Sequence, residues 1–387
     1  MKRICVVTGT RADYGLLRWV MQEIRDSESL DLLIVATGMH LSPEFGLTYR
    51  EIEEDGFRIS RKVEMLLSSD TPVGITKSIG LAIAGFADAF AELQPDLVLV
   101  LGDRYEIFSA VASATIARVP IAHLHGGEAT QGLIDEAIRH SITKMSHLHF
   151  VAAEEYRRRV IQLGELPERV FCVGGMGVDN IAKTKLLPRN ELEAAIDFKF
   201  GERSLMITFH PVTLERGSAE FQMAELLEAL ALTNGINFIF TMPNSDTESR
   251  VLFKMIDKFV KKYPERAKAY TSLGQLRYLS CLQFIDAVVG NSSSGLLEVP
   301  SFFKPTINIG DRQRGRIKAS SVIDCEPNQV AIGAAIQKAL SRDFQFRLAS
   351  TVNPYGIGGA SEAIARIIEK TPLDGLLKKS FHDLHFP

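Results

Sequence analysis

The stretch Ala287-Val-Val-Gly-Asn-Ser-Ser-Ser-Gly-Leu-Leu-Glu298 decides how this 387-residue chain is read. Its apolar run to Val289 predicts a buried strand, Gly290 to Ser294 a tight turn, and Gly295 onward the start of a helix. A strand-to-helix turn of that kind aims backbone N–H groups and short hydroxyls at one spot, where the helix dipole favours negative charge. A diphosphate suits such a spot. Ser292 and Ser293 are its candidate donors. Glu298, one turn into the helix, is placed to accept hydrogen bonds from sugar hydroxyls. An ordinary serine N-cap is the plain alternative, but three consecutive serines exceed what one cap needs.

The same alternation of apolar run and helical pattern extends in both directions. Ile4–Thr8, Leu32–Ala36, Leu97–Leu101, Ile121–His123, Leu148–Val151 and Phe171–Val173 read as strands in the first half. Helices are expected between them at Tyr14–Arg25, Gly74–Leu93, Glu106–Ala117 and Glu154–Leu163. In the third of these, Ile107, Ala110, Val111 and Ala114 recur at helical spacing. A second series begins near Ser204, with strands at Leu205–Thr208, Asn237–Phe240, Ala287–Val289 and Thr306–Ile309. Its helices are expected at Ala219–Thr233, Ser249–Lys262 and Val330–Leu340. Strands apolar on both faces, each followed by a helix, imply parallel sheets covered on both sides. The expected fold class is therefore α/β, with two doubly wound, Rossmann-like domains facing each other across a cleft. Residues 1–173 form the first, 174–203 a Gly-containing linker of mixed charge, and 204–359 the second. The closing segment, 360–387, carries a helical pattern at Ala360–Glu369 and a polar tail that can pack back onto the first domain. A chain this long exceeds what one core usually supports, which agrees.

Hydrophobic residues at 46% and charged residues at 24% are ordinary for a globular protein. A net charge of −3 argues against nucleic acid or an anionic membrane as partner. No run reaches the roughly 18 uninterrupted apolar residues of a membrane span. The N-terminal Met1-Lys-Arg-Ile-Cys-Val-Val-Thr enters a β-run without a signal-peptide core, so a cytoplasmic protein is expected. Cys5, Cys172, Cys281 and Cys325 lack CxxC spacing and sit in or beside apolar runs, which predicts core packing and no metal site.

Open α/β sheets bind ligands outside the carboxyl ends of their strands, and the polar signals fall there. Gly9-Thr-Arg-Ala-Asp-Tyr-Gly15 follows the first strand, where Gly9 permits a tight turn and Arg11 is carried to the sheet's mouth. It is neither a GxGxxG fingerprint nor a P-loop. Thr37-Gly-Met-His40 places a histidine in an expected exposed loop, able to shuttle protons or bond a sugar hydroxyl. In Gly102-Asp-Arg-Tyr-Glu106, Asp103 either caps the next helix or does chemistry, with Arg104 beside it as a candidate ligand contact.

Ala122-His-Leu-His-Gly-Gly-Glu128 puts His123 and His125 on the same side of a β-run and Glu128 just past it. Asp135 follows, then Arg139-His140. With Asp103 this makes three acids near two histidines, suited to acid/base work on a C–H or a hydroxyl. A divalent metal could use the same groups. No tight ligand spacing repeats, so none is expected. His147 and His149 read as structural. In the second half His210 ends its strand, able to meet a phosphate or move a proton, and Asn244 follows the next strand. Arg312, Arg314 and Arg316 alternate in a Gly-containing loop. One of them could clamp a diphosphate, a solvated basic loop being the alternative.

Taken together, these segments resemble the hydrolysing UDP-N-acetylglucosamine 2-epimerases of sialic-acid biosynthesis. The similarity covers GTRADYG at Gly9–Gly15, TGMH at Thr37–His40, LGDRYE at Leu101–Glu106, HLHGGE at His123–Glu128 and DEAIRHSITK at Asp135–Lys144. It continues through FHP at Phe209–Pro211, GNSSSGLLEVPS at Gly290–Ser301 and INIGDRQRGR at Ile307–Arg316. The resemblance implies a GT-B-like fold and conversion of UDP-GlcNAc and water into N-acetylmannosamine and UDP, through 2-acetamidoglucal. It implies no tightly bound cofactor, and a homodimer or homotetramer.

Residue by residue, Asp103 and Asp135 match family carboxylates assigned to catalysis. His210, Ser292, Ser293, Glu298 and Arg312 match positions that hold UDP, while Arg11 and Asn244 match ligand contacts. Many relatives have Glu where this chain has His125. The second acid/base role therefore falls to Glu128, the favoured group, or to His125. Some hydrolysing relatives act on a UDP- or GDP-linked diacetamido sugar, which sets the alternative substrate. A GT-B glycosyltransferase would share the diphosphate clamp but need no base near sugar C2, so the carboxylate cluster argues against it.

Overall fold

A computed structural model describes the chain except residues 68–70, 130–133, 212–217, 243–248, 272 and 385–387. It divides into two compact units, Met1–Asn180 with Gly358–Pro387, and Ile181–Ile357. The stretch expected as a linker is structured, with helices Met176–Lys183 and Arg189–Ile196, and the division falls inside it.

The first unit holds β1 (Lys2–Thr8), β2 (Leu30–Thr37), β3 (Arg61–Val63), β4 (Leu97–Leu101), β5 (Ile121–Leu124), β6 (Leu148–Val151) and β7 (Val170–Cys172). They pair in the order β3-β2-β1-β4-β5-β6-β7, parallel throughout. The second holds β8 (Arg203–Thr208), β9 (Ile236–Thr241), β10 (Ala267–Tyr270), β11 (Ala287–Gly290), β12 (Thr306–Ile309) and β13 (Val322–Cys325). Their order is β10-β9-β8-β11-β12-β13, also parallel. The direction of winding reverses between β1 and β4, and between β8 and β11. These are the topological switch points, where the loops on neighbouring strands diverge and leave a crevice.

The two-sided apolarity of the strands has the expected cause. On β1, Ile4 and Val6 pack with Tyr14, Leu17 and Ile24 of helix Arg11–Asp26, while Cys5 and Val7 face Phe86, Phe90 and Val111. On β8, Leu205 and Ile207 join one buried cluster and Met206 another. Period-2 alternation between two covered faces needs apolar side chains at every position.

Helix Pro72–Leu93 is, by length and composition, apolar enough to cross a membrane, although no uninterrupted apolar run marks it. Its Ala82, Phe86, Ala89 and Phe90 are buried in the same cluster as Val98, Val100 and helix Tyr105–Ile116, which accounts for one apolar face. Helix Ala360–Lys370 belongs to the first unit, and buried Asp179 accepts from the backbone N–H groups of Gly359, Ala360 and Ser361 at 2.5–3.1 Å. An aspartate on the first-turn donors of a helix satisfies groups that have no partner within it.

Two cysteines depart from expectation. Cys5 and Cys281 are buried, but Cys172, ending the edge strand β7, is exposed, and Cys325 is partly so. His147 and His149 are structural: His147 Nδ1 accepts the Ile121 N–H at 3.1 Å, and His149 Nε2 lies 3.0 Å from Glu165.

Candidate active site

The candidate residues gather at the carboxyl ends of the strands beside each switch point. In the second unit, β8 and β11 pair through Thr208 and Gly290. Gly290 has φ +145°, and a Cβ there would lie 1.9 Å from the Thr208 carbonyl oxygen, so the approach requires glycine. The next residue, buried Asn291, closes the gap between the strands. Its Oδ1 accepts the His210 N–H at 2.7 Å, and its Nδ2 donates to the His210 carbonyl at 2.8 Å. The Asn291 carbonyl in turn accepts from Arg312 at 3.1 Å and from Gln313 at 2.8 Å. One amide therefore orders the His210 turn and the arginine loop together. In the sequence Asn291 reads only as a turn residue.

Ser293 stands at the N-cap of the following helix, yet its backbone is helical (φ −62°, ψ −29°) and its side chain makes no capping bond. The N-cap alternative thus does not describe this serine. The helix itself spans only Ser294–Leu297 before a 3-10 turn at Val299–Phe302. Four residues supply little macrodipole, so the dipole contribution expected from sequence is small here. Hydroxyls and Arg312 would have to carry anion binding here. Glu298 accepts from the Ser294 hydroxyl, whose oxygen is 2.5 Å from Tyr278 Oη, and burial pushes the Glu298 carboxyl above its usual range. Burial, then the charge of Arg312, push the His210 ring down to about 4, so it is neutral near pH 7. Among the described residues its Nδ1 has no hydrogen-bond partner.

In the first unit the cluster is built on β4, β5 and helix Ile134–Met145. Arg104 takes the N-cap place of helix Tyr105–Ile116 without a capping bond, so Asp103 is not a cap. Instead Asp103 pairs with Arg139. The Arg139 guanidinium is 3% exposed and also donates to Glu136 at 3.0 Å and to the Glu128 carbonyl at 2.8 Å. The sequence pattern does not single out Arg139 as a functional residue. The available signal was its place one turn after Asp135 on the same helix. Asp135 lies in that helix's first turn, where burial, then the Asp103 carboxylate, raise its carboxyl.

Glu128 is buried, and its Oε1 lies 2.9 Å from His125 Nδ1. β5 ends at Leu124 and His125 has φ +64°, so the strand alternation expected to align His123 with His125 is broken between them. His123 is wholly buried, with Nε2 2.8 Å from the Gly102 carbonyl and Nδ1 3.1 Å from Thr143 Oγ1. Burial pushes its ring down to about 3, so a neutral histidine braces the turn that carries Asp103. Among the described residues, no three His, Cys, Asp or Glu side chains converge in a way that could hold a metal ion.

His40 is fully buried, not exposed: Nε2 is 3.0 Å from Thr8 Oγ1 and Nδ1 2.8 Å from Thr48 Oγ1. The 3-10 turn Gly38–Leu41 folds under β1, so this ring cannot serve as the loop proton shuttle expected from sequence. Arg11 is half exposed and pairs with Glu51 at 3.0 Å. Arg104 bonds Glu106 at 2.5 Å, and Glu106 is itself buried beneath Gly9, where an added Cβ would meet it at 2.5 Å. Asn244 lies outside the described residues.

Two doubly wound parallel sheets with polar groups at their switch points put the chain in the GT-B-like class of two-domain α/β proteins. The family model described as UDP-N-acetylglucosamine 2-epimerase matches residues 22–369, and the chain belongs to that family. It is 41% identical to the GDP/UDP-N,N'-diacetylbacillosamine 2-epimerase (hydrolyzing) of Campylobacter jejuni, over 99% of each chain. It is 40% identical to polysialic acid biosynthesis protein P7 of Escherichia coli, over 95% of this chain and 94% of that one. A UDP-N,N'-diacetylbacillosamine 2-epimerase (hydrolyzing) of Legionella pneumophila is 36% identical over 96% and 97%. Among solved structures, the UDP-GlcNAc 2-epimerase of Neisseria meningitidis bound to UDP-GlcNAc shares the fold, with a TM-score of 0.75 and 18% identity over 96% and 100%.

Proposed function

We propose that this protein is a hydrolysing 2-epimerase that converts a nucleoside-diphosphate-linked 2,4-diacetamido sugar and water into the free 2-epimer and nucleoside diphosphate. Support for the sugar comes from full-length likeness to two proteins named for diacetylbacillosamine, at 41% and 36% identity. Support for the chemistry comes from one observation above the others: Arg139 ion-pairs Asp103 and holds the Glu128 backbone carbonyl, with the Asp135 and Glu128 carboxyls within reach of its charge.

The reaction needs a base at sugar C2, an acid for the opposite face and stabilisation of the leaving group. A carboxylate takes the C2 proton as the bond from C1 to the diphosphate oxygen breaks, leaving a 2-acetamidoglucal. Water then adds at C1 and a proton returns to C2 from the other side. Asp103, held in an ion pair, suits the base. Asp135, whose carboxyl titrates above its usual range, suits the donor. Glu128 supplies the third carboxyl, the acid/base group that takes the proton of the water adding at C1. Charge on the departing diphosphate is met by Arg312, the Ser292 and Ser293 hydroxyls and His210, with Glu298 on sugar hydroxyls and Arg11, Arg104 and Asn244 as further ligand contacts. These steps balance without a cofactor. The working form proposed with this chemistry is a homodimer or homotetramer.

The second reading is UDP-GlcNAc hydrolysis to N-acetylmannosamine, the first step towards sialic acid. The 40% likeness to a polysialic acid biosynthesis protein favours it. Measuring kcat/KM on both UDP-linked sugars separates them. At least a tenfold preference for the diacetamido sugar is expected, and a preference for UDP-GlcNAc would move the assignment to the second reading.

A further inference from the structure

Two neighbouring groups, His125 and Glu128, compete for one acid/base role, and their hydrogen bonds distinguish them. We infer that His125 is a positioning residue: its ring is held as the Nδ1–H tautomer, aims the Glu128 carboxylate, and exchanges no proton with substrate. The role assigned to Glu128 rests on the proposed epimerase chemistry. The tautomer does not.

The backbone N–H of Met176 donates to His125 Nε2 at 3.2 Å. A ring nitrogen that accepts an N–H carries no proton of its own, so the proton of the neutral ring sits on Nδ1. Nδ1 is 2.9 Å from Glu128 Oε1, a donor facing a carboxylate. Met176 opens helix Met176–Lys183, and its N–H is one of the first-turn donors that have no partner inside a helix. Both nitrogens of His125 are therefore engaged. Any proton exchange with substrate would have to break one of these bonds.

The backbone enforces the same arrangement. His125 sits in the left-handed region at φ +64°, and its N–H bonds the Phe150 carbonyl at 2.9 Å, continuing the ladder between β5 and β6 by one step. The chain then turns through two tightly packed glycines. A Cβ on Gly126 would meet Thr143 Oγ1 at 2.9 Å, and one on Gly127, at φ +78°, would meet the Tyr156 carbonyl at 2.5 Å. Arg159 holds the Gly127 carbonyl, and Arg139 holds the Glu128 carbonyl at 2.8 Å. Two arginines thus fix the Glu128 backbone, and His125 fixes its carboxylate. Non-glycine residues in left-handed conformations persist where the surroundings over-determine them, commonly at functional sites.

Two measurements test the assignment. The first is two-dimensional ¹⁵N–¹H NMR of histidine-labelled full-length protein near pH 8, with the His125 ring assigned by its loss in His125→Asn. A neutral Nδ1–H tautomer is expected, and an Nε2–H tautomer overturns the proposal whatever the substrate proves to be. The second is a double-mutant cycle of His125→Asn and Glu128→Gln, both checked for native melting. Asparagine tolerates the left-handed backbone. His125→Asn should lower kcat by roughly 10²-fold, the scale of a misaimed catalytic group, with KM within about threefold of wild type. Glu128→Gln should cost more, and adding His125→Asn to it should cost less than a further threefold, because the carboxylate that His125 aims is already gone. A full extra loss in the double variant, or a single His125→Asn worse than Glu128→Gln, would make His125 the proton carrier. A wild-type protein inactive on both sugars would refute the epimerase reading while leaving the tautomer result standing.

Discussion

Replacing Arg139 with lysine keeps one positive charge at the centre of the carboxylate cluster but removes the planar fork. The fork now reaches Asp103 with one nitrogen, and Glu136 at 3.0 Å and the Glu128 carbonyl at 2.8 Å with the other. A lysine reaching from the same backbone can serve one or two of these in varying geometry. One or two charge-assisted hydrogen bonds are lost, each worth about 1.5–3 kcal/mol. Asp103 and Glu136 are 26% and 30% exposed, so solvent takes back part of the loss. A net cost of about 2–3 kcal/mol remains, or a fall of roughly 4–12 °C in Tm at the usual scaling for a domain of this size. The larger effect is on Asp103, whose carboxylate is no longer held. A displacement of about 1 Å costs on the order of 10² in rate, equivalent to about 2.7 kcal/mol of barrier. Steady-state kinetics reading released nucleoside diphosphate, with a thermal melt on the same sample, gives both numbers. The expected result is a roughly 100-fold fall in kcat with KM within about threefold. A lysine variant with wild-type kcat and Tm would refute the role given to Arg139.

Three further outcomes follow from single features. Ser293 makes no capping bond, so Ser293→Ala should leave Tm within about 1 °C and raise KM about tenfold, the loss of one hydrogen bond to a charged ligand of about 1.5 kcal/mol. A melting loss without a KM change would return it to capping. Gly290→Ala puts a methyl 1.9 Å from the Thr208 carbonyl oxygen at φ +145°, and should destabilise the second unit by more than about 3 kcal/mol, read as a fall in the urea midpoint. A wild-type midpoint would show that β8 and β11 part easily.

His40, held down from 6.5 to about 4 by burial, is neutral when folded. The unfolded chain therefore takes up the proton first as pH falls, and stability is lost from about pH 6.5 towards 4. Between pH 7 and 5 this one ring contributes a loss of about 2 kcal/mol. His40→Gln should flatten the urea midpoint over that range by a matching amount, and an unchanged slope would remove His40 as its source.

The long two-sided strands and the amphipathic helices were legible because their periodicities repeat over enough residues to be seen. β4 and β11 are apolar throughout and β1 is apolar from Ile4 to Val7, while helix Ser249–Lys262 keeps the bounds its sequence pattern gives. Of the four edge strands only β7 was legible, as Phe171–Val173; the other three were not. β3 is Arg-Lys-Val, and its exposed outer positions carry charge, as an unpaired edge tolerates. β10 and β13 are four residues each and likewise lie at an edge.

In the candidate site, types of residue could be read but not their partners. Asp103, Asp135 and Glu128 were visible as acids after strands. Arg139, which pairs with Asp103 and holds the Glu128 backbone, looks from sequence like any other arginine on a helix surface. His40 shows the converse error. A histidine three residues past a strand suggests a loop, but the chain turns back beneath β1 and two threonines take both nitrogens. Asn291 was hidden by its own neighbours, because the serines beside it carry the more familiar signal.

The most direct test of the central claim is a proton NMR time course of the full chain in D2O with the UDP-linked 2,4-diacetamido sugar, UDP-GlcNAc in a parallel tube, and no added acceptor, metal or cofactor. The expected result is free sugar inverted at C2 and carrying deuterium there, appearing together with UDP. Product still linked to UDP, or a released sugar that keeps its C2 proton and configuration, would contradict elimination and hydration at a carboxylate site.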